Sequence, residues 1–456
     1  MIKEISISGF RGFGISQTVK FAIPKDSKPG SGLTIITGAN NSGKTTIIES
    51  IRAFNSSDSP SFSEGRRNVQ TGGKINLTLM DDLDNLYSIA SVEGGGSSTE
   101  KNVKTTFQHY ILQSRRAVPF EFSKTEWDKK QYISLSQKLD SQRTSSLDNF
   151  SARIFQIEKN KAEFNALIAK ILGSDFQWTV EQRDSGNYYI KYTKDGIVHS
   201  SEGVGDGIWS IFTICAALFD ASPNSVIVID EPELSIHPAL QKLLMQIFVD
   251  YSKDRQIIIS THSPYFINWE AIINGAQLIR VVKEGSNSKC YHISNASRSM
   301  FSGIIKDLNN PHTLGLDANE VFFLEDKIIL VEGQEDVVIF RKMAQKIKQN
   351  IHGNFFGWGV GGAPKMEAFL NLFVDMGYKH VAIILDGDKK ETSDNLEEKF
   401  EKNGYKFFVL PTDDIRDKRE RHIQAKTGVA TEKGELKEEY ETNIKKLVDD
   451  INALFS

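Results

Sequence analysis

The stretch Gly38-Ala39-Asn40-Asn41-Ser42-Gly43-Lys44-Thr45 has the residue types and spacing that wrap a backbone around phosphate groups. Small residues let the amides of Gly38, Asn40, Asn41, Ser42 and Gly43 face the phosphates. A helix running on through Thr46 adds its positive N-terminal end. Lys44 would reach the β- and γ-phosphates, and Thr45 would offer its hydroxyl to magnesium. A second element is Val226-Ile227-Val228-Ile229-Asp230-Glu231-Pro232-Glu233, an apolar strand that delivers carboxylates at its C-terminal end. Asp230 would complete the magnesium shell, and Glu231 would orient or deprotonate an attacking water. A plain Asp-Glu-Pro turn is the alternative, and it loses weight once a phosphate loop precedes it in the same chain. His262, in Ile259-Ser260-Thr261-His262-Ser263-Pro264, lies 32 residues after Asp230. That distance holds one helix (Ala239 to Tyr251) and one returning strand, so His262 ends a neighbouring strand where it can sense a γ-phosphate. A fourth element, Glu202-Gly203-Val204-Gly205-Asp206-Gly207-Ile208-Trp209, is a glycine-rich turn that opens an apolar helix. Amides near Gly203 and Gly205 can cradle a phosphate. Lys44 already serves the phosphate in cis, so this second cradle makes sense in trans, across a homodimer or higher homo-oligomer.

A separate acidic set follows. Ile328-Ile329-Leu330-Val331-Glu332-Gly333-Gln334-Glu335-Asp336 puts one carboxylate at the end of a buried strand and another on the next helical turn. Asp386-Gly387-Asp388 ends another apolar run, with Asp386 54 residues after Glu332. Like charges brought together need a cation. Hard oxygen ligands such as Glu332, Asp336, Asp386 and Asp388 suit Mg2+ or Mn2+, which can activate water and stabilise a phosphodiester's leaving oxygen.

The elements that must hold these residues follow from patterning. Continuous apolar runs at Val226-Ile229 and Ile257-Ile259, with helical segments between, predict parallel strands covered on both faces. A second strand–helix alternation begins at Lys327. It predicts strands at Ile328 to Val331, Phe355 to Val360 and Val381 to Leu385, with helices at about 335–348 and about 364–376. A final helix carries Leu436, Tyr440, Ile444, Leu447, Ile451 and Leu454 on one face. Residues 123–172 are polar, free of glycine and helical in pattern. Within them Phe150, Ile154, Ile157, Phe164, Ile168 and Ile171 form a heptad-like stripe, opened by Asp148 as N-cap and closed by Gly173. That stripe serves either packing on its own domain or self-association. The joint between the two α/β blocks is placed at Asn309-Asn310-Pro311 to Asp317. The expected division is 1–318 and 319–456, an α/β chain with a helical insert and a smaller second α/β domain.

The order phosphate loop, glycine-rich signature, Asp-Glu-Pro-Glu, Thr-His-Ser-Pro resembles the P-loop ATPase head of the ABC superfamily. The opening Ile7-Ser8-Gly9-Phe10-Arg11-Gly12-Phe13 is similar to the first strand of its soluble DNA-repair and phage-defence branch. Glu332-Gly333, Asp336 and Asp386-Gly387-Asp388 resemble the Toprim fold. The combination resembles the OLD (overcoming lysogenization defect) family. That resemblance implies an ATP-binding ATPase and a metal-dependent nuclease acting on nucleic acid, DNA above all, in bacterial anti-phage defence. It also implies two heads sandwiching two ATP molecules, with a partner protein or an RNA or DNA element as a further component. Lys365, in Gly361-Gly362-Ala363-Pro364-Lys365, would steady the scissile phosphate or be a surface lysine. The glutamine loop falls at Gln113, before Arg115 and Arg116, or that position is a plain strand end. Where Toprim nucleases supply a further glutamate, this chain reads Thr412-Asp413-Asp414-Ile415-Arg416-Asp417. Asp414 or Asp417 would replace it as a metal ligand, with Arg416 in the usual slot. Lys418, Arg419, Arg421, His422 and Lys426 would track a phosphate backbone or form a solvated helix face. An ATPase sensor or scaffold that binds nucleic acid or a partner without cutting is the second reading.

Composition bounds these readings. The 456 residues are 39% hydrophobic and 25% charged, with 55 basic against 59 acidic residues and a net charge of -4. Any nucleic-acid contact must therefore come from a local basic surface. No run approaches the roughly 18 apolar residues of a membrane helix. The start lacks the apolar core of a signal peptide. Two cysteines, Cys215 and Cys290, exclude a disulfide scaffold and a four-cysteine zinc site. A cytoplasmic protein with no membrane partner is the expectation.

Overall fold

A computed structural model describes residues 1–456 apart from 56–57, 95, 103–108, 117–118, 137–138, 140–149, 175, 195, 201–204, 306–312, 324–325 and 420–424. The chain forms two compact units, Met1–His292 and Ile293–Ser456.

In the first unit a six-stranded sheet has the order Asn287–His292, Gln277–Glu284, Leu33–Thr37, Gln256–Ser260, Val226–Asp230, Tyr110–Leu112. Neighbours run parallel except for the edge pair Gln277–Glu284 and Asn287–His292. Every residue of Leu33–Thr37, Val226–Asp230 and Gln256–Ser260 is buried, as their continuous apolar runs require of strands covered on both faces. Asp230 pairs in register with Ser260, and Ser260 with Ile36. The C-terminal ends of these strands are therefore flush, and Gly38, Glu231 and His262 leave the sheet at one edge. A five-stranded antiparallel sheet contains Ile2–Ser8, where a register shift between Ile2 and Glu4 brings Ile2 to the buried side with Ile5 and Ile7. Ile47, Ile48 and Ile51 of the helix Lys44–Ala53 share one core with Ile5 and Ile7 of this sheet and Ile36, Val228 and Ile258 of the other.

The insert forms the helices Lys129–Ser136, Ser151–Lys159 and Lys161–Leu172, the last two broken at Asn160, and Gly173 is the final C-cap as expected. Asp148 lies outside the described residues. The stripe Phe150, Ile154, Ile157, Phe164, Ile168 and Ile171 is buried within this unit. Phe164 meets Trp178, Phe212 and Phe219 edge-to-face at 5.7–5.8 Å between ring centroids. The stripe thus serves packing on its own domain, and its apolar face is not free for self-association. Arg153 donates to both carboxylate oxygens of Asp220 at 2.7 Å, tying the insert to the end of the helix Asp206–Asp220.

The second unit has a four-stranded parallel sheet in the order Asn354–Phe355, Ile328–Leu330, Val381–Leu385, Lys406–Val409, and a short parallel pair Asp414–Arg416 with Gly428–Ala430. Its helices include Gln334–Lys346, Met366–Asp375 and the C-terminal Glu441–Leu454. Ile444, Val448 and Ile451 are the fully buried positions of that last helix, packed with Val337, Phe340 and Met343. Tyr440, Leu447 and Leu454 sit at the margin of this core. Residues from Ile293 belong to this unit rather than to the first, because the helix Asn295–Ile305 packs on Met366–Asp375. Phe301 meets Phe369 edge-to-face at 5.2 Å, and Asp375 accepts from Ser294 N at 2.8 Å and from Ser297 Oγ at 2.5 Å. The residues Asn309-Asn310-Pro311 of the expected joint lie outside the described residues. Among the described residues no helix is long and apolar enough to cross a membrane, and both cysteines are free.

Candidate functional site

The strand Leu33–Thr37 hands the chain to the phosphate loop, whose turns need the left-handed region: φ is 139° at Gly38, 60° at Asn41 and 121° at Gly43. Gly43 also lies so close to the Phe13 ring and Ser288 that a side chain there would collide with them. Lys44 starts the following helix and is 5% exposed; its Nζ donates to the carbonyls of Gly38 and Ala39 at 3.0 Å. Burial pulls the Lys44 ammonium down to about 8, although Asp230, Glu231 and Glu233 act in the opposite direction. Thr45 Oγ1 donates to Asp230 Oδ2 at 3.1 Å, so two groups assigned to one cation are already neighbours. Asp230 is 3% exposed and also accepts from Ser260 Oγ. Burial, and then the charge of Glu231, hold its carboxyl above the usual range.

Glu231 has φ 48°, a left-handed conformation that a residue with a side chain adopts only when its surroundings enforce it. Its N–H donates to Ser260 O at 2.9 Å. His262 Nε2 lies 3.9 Å from Glu231 Oε1, and burial, then Lys44, push the imidazole down to about 4, so it is neutral near pH 7. The His262 N–H donates to Glu233 Oε1 at 2.5 Å, and burial raises the Glu233 carboxyl. A cavity of about 500 Å³ is lined by Asn40, Asn41, Lys44, Thr45, Thr46, Glu231 and His262, and by Arg11 and Lys283. Ser42 Oγ is buried without a hydrogen-bond partner among the described residues. The amide cradle, the buried ammonium, the Thr45–Asp230 pair and this orphaned hydroxyl fit the phosphates and cation of a nucleotide.

Gly205 is the N-cap of Asp206–Asp220, in open space, whereas Gly203 lies outside the described residues. Gly207 packs against the Ser235 carbonyl, leaving no room for a side chain between this helix and the turn after Glu233. The residue that sequence reasoning missed is Arg116, 4% exposed. Its guanidinium donates to Ser210 Oγ at 2.8 Å, Gln113 O at 2.6 Å, Asp230 O at 2.7 Å and Glu231 O at 2.7 Å. Arg116 therefore braces the strained Glu231 turn against the helix that Gly205 opens. The Gln113 carbonyl accepts from the same guanidinium. Only the unusual burial of an arginine marks this role, and burial is not visible in the local sequence.

In the second unit Glu332 and Asp386 sit at the C-terminal ends of adjacent parallel strands. Glu332 Oε1 accepts from Asp386 N and its Oε2 from Ala363 N, each at 3.3 Å, while Gly361 and Gly362 N–H groups hold its carbonyl at 2.9 Å. The Gly-Gly-Ala turn thus orients Glu332, with the half-buried Lys365 two residues beyond it. Asp336 reaches back to Gly333 N at 2.8 Å. Burial, then Glu332 and Asp414, push Asp336 up to about 7. Burial, then Asp336, Asp414 and Glu332, push Asp386 up to about 8. Asp414 is 2% exposed and belongs to this group, whereas Asp417 pairs with Lys437 at 2.8 Å. Asp388 differs: burial acts to raise it, but Lys426 at 2.7 Å and Lys389 at 3.3 Å hold it below the usual range. Lys418 and Lys426 face these carboxylates rather than forming a solvated helix face. Arg419 pairs with Glu432, Arg416 is bidentate to Glu335, and Arg421 and His422 lie outside the described residues. Among the described residues, no set of three His, Cys, Asp or Glu side chains converges closely enough to hold a metal ion. What fits a hard divalent cation here is the all-oxygen donor chemistry and the excess charge on Glu332, Asp336 and Asp386.

Residues 104–268 match the family model AAA_21, an AAA domain named for the AbiEii toxin of a type IV TA system. Residues 323–388 match the Toprim domain of overcoming lysogenization defect protein-like chains. The chain joins an AAA domain to an OLD-like Toprim domain. Asp230, Glu231, His262 and Arg116 fall within the AAA match, and Glu332, Asp336, Lys365, Asp386 and Asp388 within the Toprim match; the phosphate loop precedes the first and Asp414 follows the second. The chain is 27% identical over 205 residues to the OLD nuclease of Thermus scotoductus, covering 41% of this chain and 37% of that protein. It is 27% identical over 216 residues to Endonuclease GajA of Bacillus cereus, covering 44% and 33%. Septu protein PtuA of Bacillus thuringiensis is 24% identical over 312 residues, covering 60% and 74%. The matched part is thus about a third of either nuclease. The Smc head domain from Pyrococcus furiosus superposes with a TM-score of 0.42 at 15% identity, over 67% of this chain and 99% of that chain, too loosely to bear on function.

Two outcomes follow from this geometry. Replacing Arg116 by alanine releases the Glu231 turn while leaving the phosphate loop intact. The kcat for ATP should fall about tenfold or more with KM within about twofold, and Arg116→Lys should recover part of it; an unchanged kcat would contradict the brace. In the Toprim unit, a divalent cation needs Asp336 and Asp386 deprotonated. Mn2+ affinity should therefore rise about tenfold or more from pH 6 to pH 8.5, with proton release on binding. The metal-free fold follows the opposite sign. Carboxyls with unfolded values near 4 and raised folded values cost nothing below about pH 4, and their destabilisation is complete above about pH 8. Calorimetric titration and melting curves across this range check both.

Proposed function

We propose that this chain is an ATP-binding and hydrolysing, divalent-metal-dependent nuclease of the OLD type, acting on DNA in the cytoplasm as part of anti-phage defence. The observation that carries the reading is the Toprim carboxylate group: Glu332 and Asp386 end adjacent parallel strands, Asp336 lies on the first turn of the following helix, and among the described residues none of the three is in an ion pair. Mg2+ or Mn2+, when bound, would lower the pKa of a water and stabilise the leaving oxygen of a phosphodiester. Glu332 and Asp386, with Asp336 behind them, would hold it. Lys365 would bind the scissile phosphate. In the AAA unit Lys44 would bind the ATP phosphates, Thr45 and Asp230 would hold Mg2+, and Glu231 would accept the proton of the attacking water. His262, neutral and beside Glu231, would orient that water. Gly203 and Gly205 would complete a partner's nucleotide site in a homodimer or higher homo-oligomer, and a further protein or an RNA or DNA element would supply the trigger.

One observation favours a second reading, an ATPase sensor whose Toprim unit binds nucleic acid without cutting. Lysine ammonium groups already neutralise Asp388 and Asp414. Plasmid and single-strand cleavage assays with Mg2+ or Mn2+, with and without ATP, separate the two. Wild type should cut, and Asp386→Ala should lose about 100-fold or more while ATP turnover stays within about twofold. Glu231→Gln should retain ATP binding and lose about 100-fold in turnover. Metal-dependent binding without cleavage by wild type would favour the sensor.

A further inference from the structure

The acids of the Toprim unit fall into two groups that are balanced differently. On one side, Lys426 Nζ lies 2.7 Å from Asp388 Oδ2 and 3.6 Å from Asp414 Oδ2, and Lys418 Nζ lies 2.6 Å from Asp414 Oδ2. These ammonium groups are not on free surface arms. The backbones of Lys418 and Lys426 exchange two hydrogen bonds, each 3.0 Å, beside the paired strands Asp414–Arg416 and Gly428–Ala430. The Lys426 side chain is 26% exposed, and that of Asp414 is 3% exposed. On the other side, among the described residues, Glu332 and Asp336 accept from backbone N–H groups of Asp386, Ala363 and Gly333. Among the described residues no lysine, arginine or histidine lies within ion-pair distance of Glu332, Asp336 or Asp386.

Resting on the metal-dependent reading above, we propose that Lys426 is a built-in counterion occupying the Asp388–Asp414 side, so that the Toprim unit takes up one divalent cation, at Glu332 and Asp386, rather than two. A cation entering between Asp388 and Asp414 must first displace an ammonium that is fixed at both its backbone and its charged end. Carboxylates whose charge is already balanced by that ammonium offer too little net charge to compensate the dehydration of Mg2+. Lys426 therefore sets the number of ions as well as balancing charge. Arginine at this position would keep the charge, whereas glutamine would release Asp388 and leave Asp414 with Lys418 alone, opening the space between the two carboxylates.

Mn2+ binding to the full-length chain tests this at pH 8 without nucleotide, counting by calorimetry and by electron paramagnetic resonance the ions that Asp386→Asn or Asp388→Asn removes. Wild type should bind one such ion, lost in Asp386→Asn. Lys426→Gln should bind two, and Lys426→Arg one. Two such ions in wild type, or one in Lys426→Gln, would overturn the proposal while leaving the metal-dependent reading intact. No ion lost from wild type on Asp386→Asn would overturn the reading itself and the proposal with it. Lys426→Arg, which preserves the ion pair, controls against a count altered by misfolding.

Discussion

Carboxylates delivered to the C-terminal ends of buried parallel strands repel one another, and the rest of the chemistry depends on how that charge is balanced. Asp230 follows four apolar residues of its strand, and Asp386 follows the apolar run Val381–Leu385. Both carboxyls are raised by burial first and by neighbouring acids second. In the AAA unit the balance comes from the buried Lys44, from hydroxyls of Thr45 and Ser260, and from an arginine that takes the carbonyls of Asp230 and Glu231. In the Toprim unit it comes from lysines on one side and is left unmet on the other.

The same constraint explains why position matters more than identity among these acids. Asp388 lies two residues from Asp386, yet one is held down by lysines and the other pushed up by carboxylates. Glu231 and Glu233 flank one proline. Glu231 faces the cavity in a strained backbone conformation, whereas Glu233 turns back to the N–H of His262. Strain at Glu231 persists because Ser260 and Arg116 hold its N–H and carbonyl. The insert supports that brace from behind by burying its apolar stripe on the helix that carries Ser210.

Much of this was legible in the chain's residues, and the reasons differ. The phosphate loop and the strands before Asp230, Glu332 and Asp386 are local: spacing and apolar runs determine them, and the structure has them within a residue or two. The strand expected over Phe355 to Val360 is shorter, Asn354–Phe355, because Gly357 and Gly359 turn the backbone out of the sheet. Arg116 and Lys426 could not be read, since each acquires its role from partners distant in sequence, Arg116 from Asp230 and Lys426 from Asp388. Lys418 and Lys426 read as part of a phosphate track or a solvated helix face because the sequence shows their charges but not the carboxylates they face. The helix Asn295–Ile305 joins the second compact unit through Phe301 and Asp375, contacts distant in sequence that no local pattern shows.

The central claim is that the uncompensated carboxylates of the Toprim unit are a cation site. Anomalous scattering from crystals grown with Mn2+ tests it most directly. A manganese peak between the carboxylates of Glu332 and Asp386 is the expected result; crystals with manganese elsewhere, and none at these two residues, would contradict it.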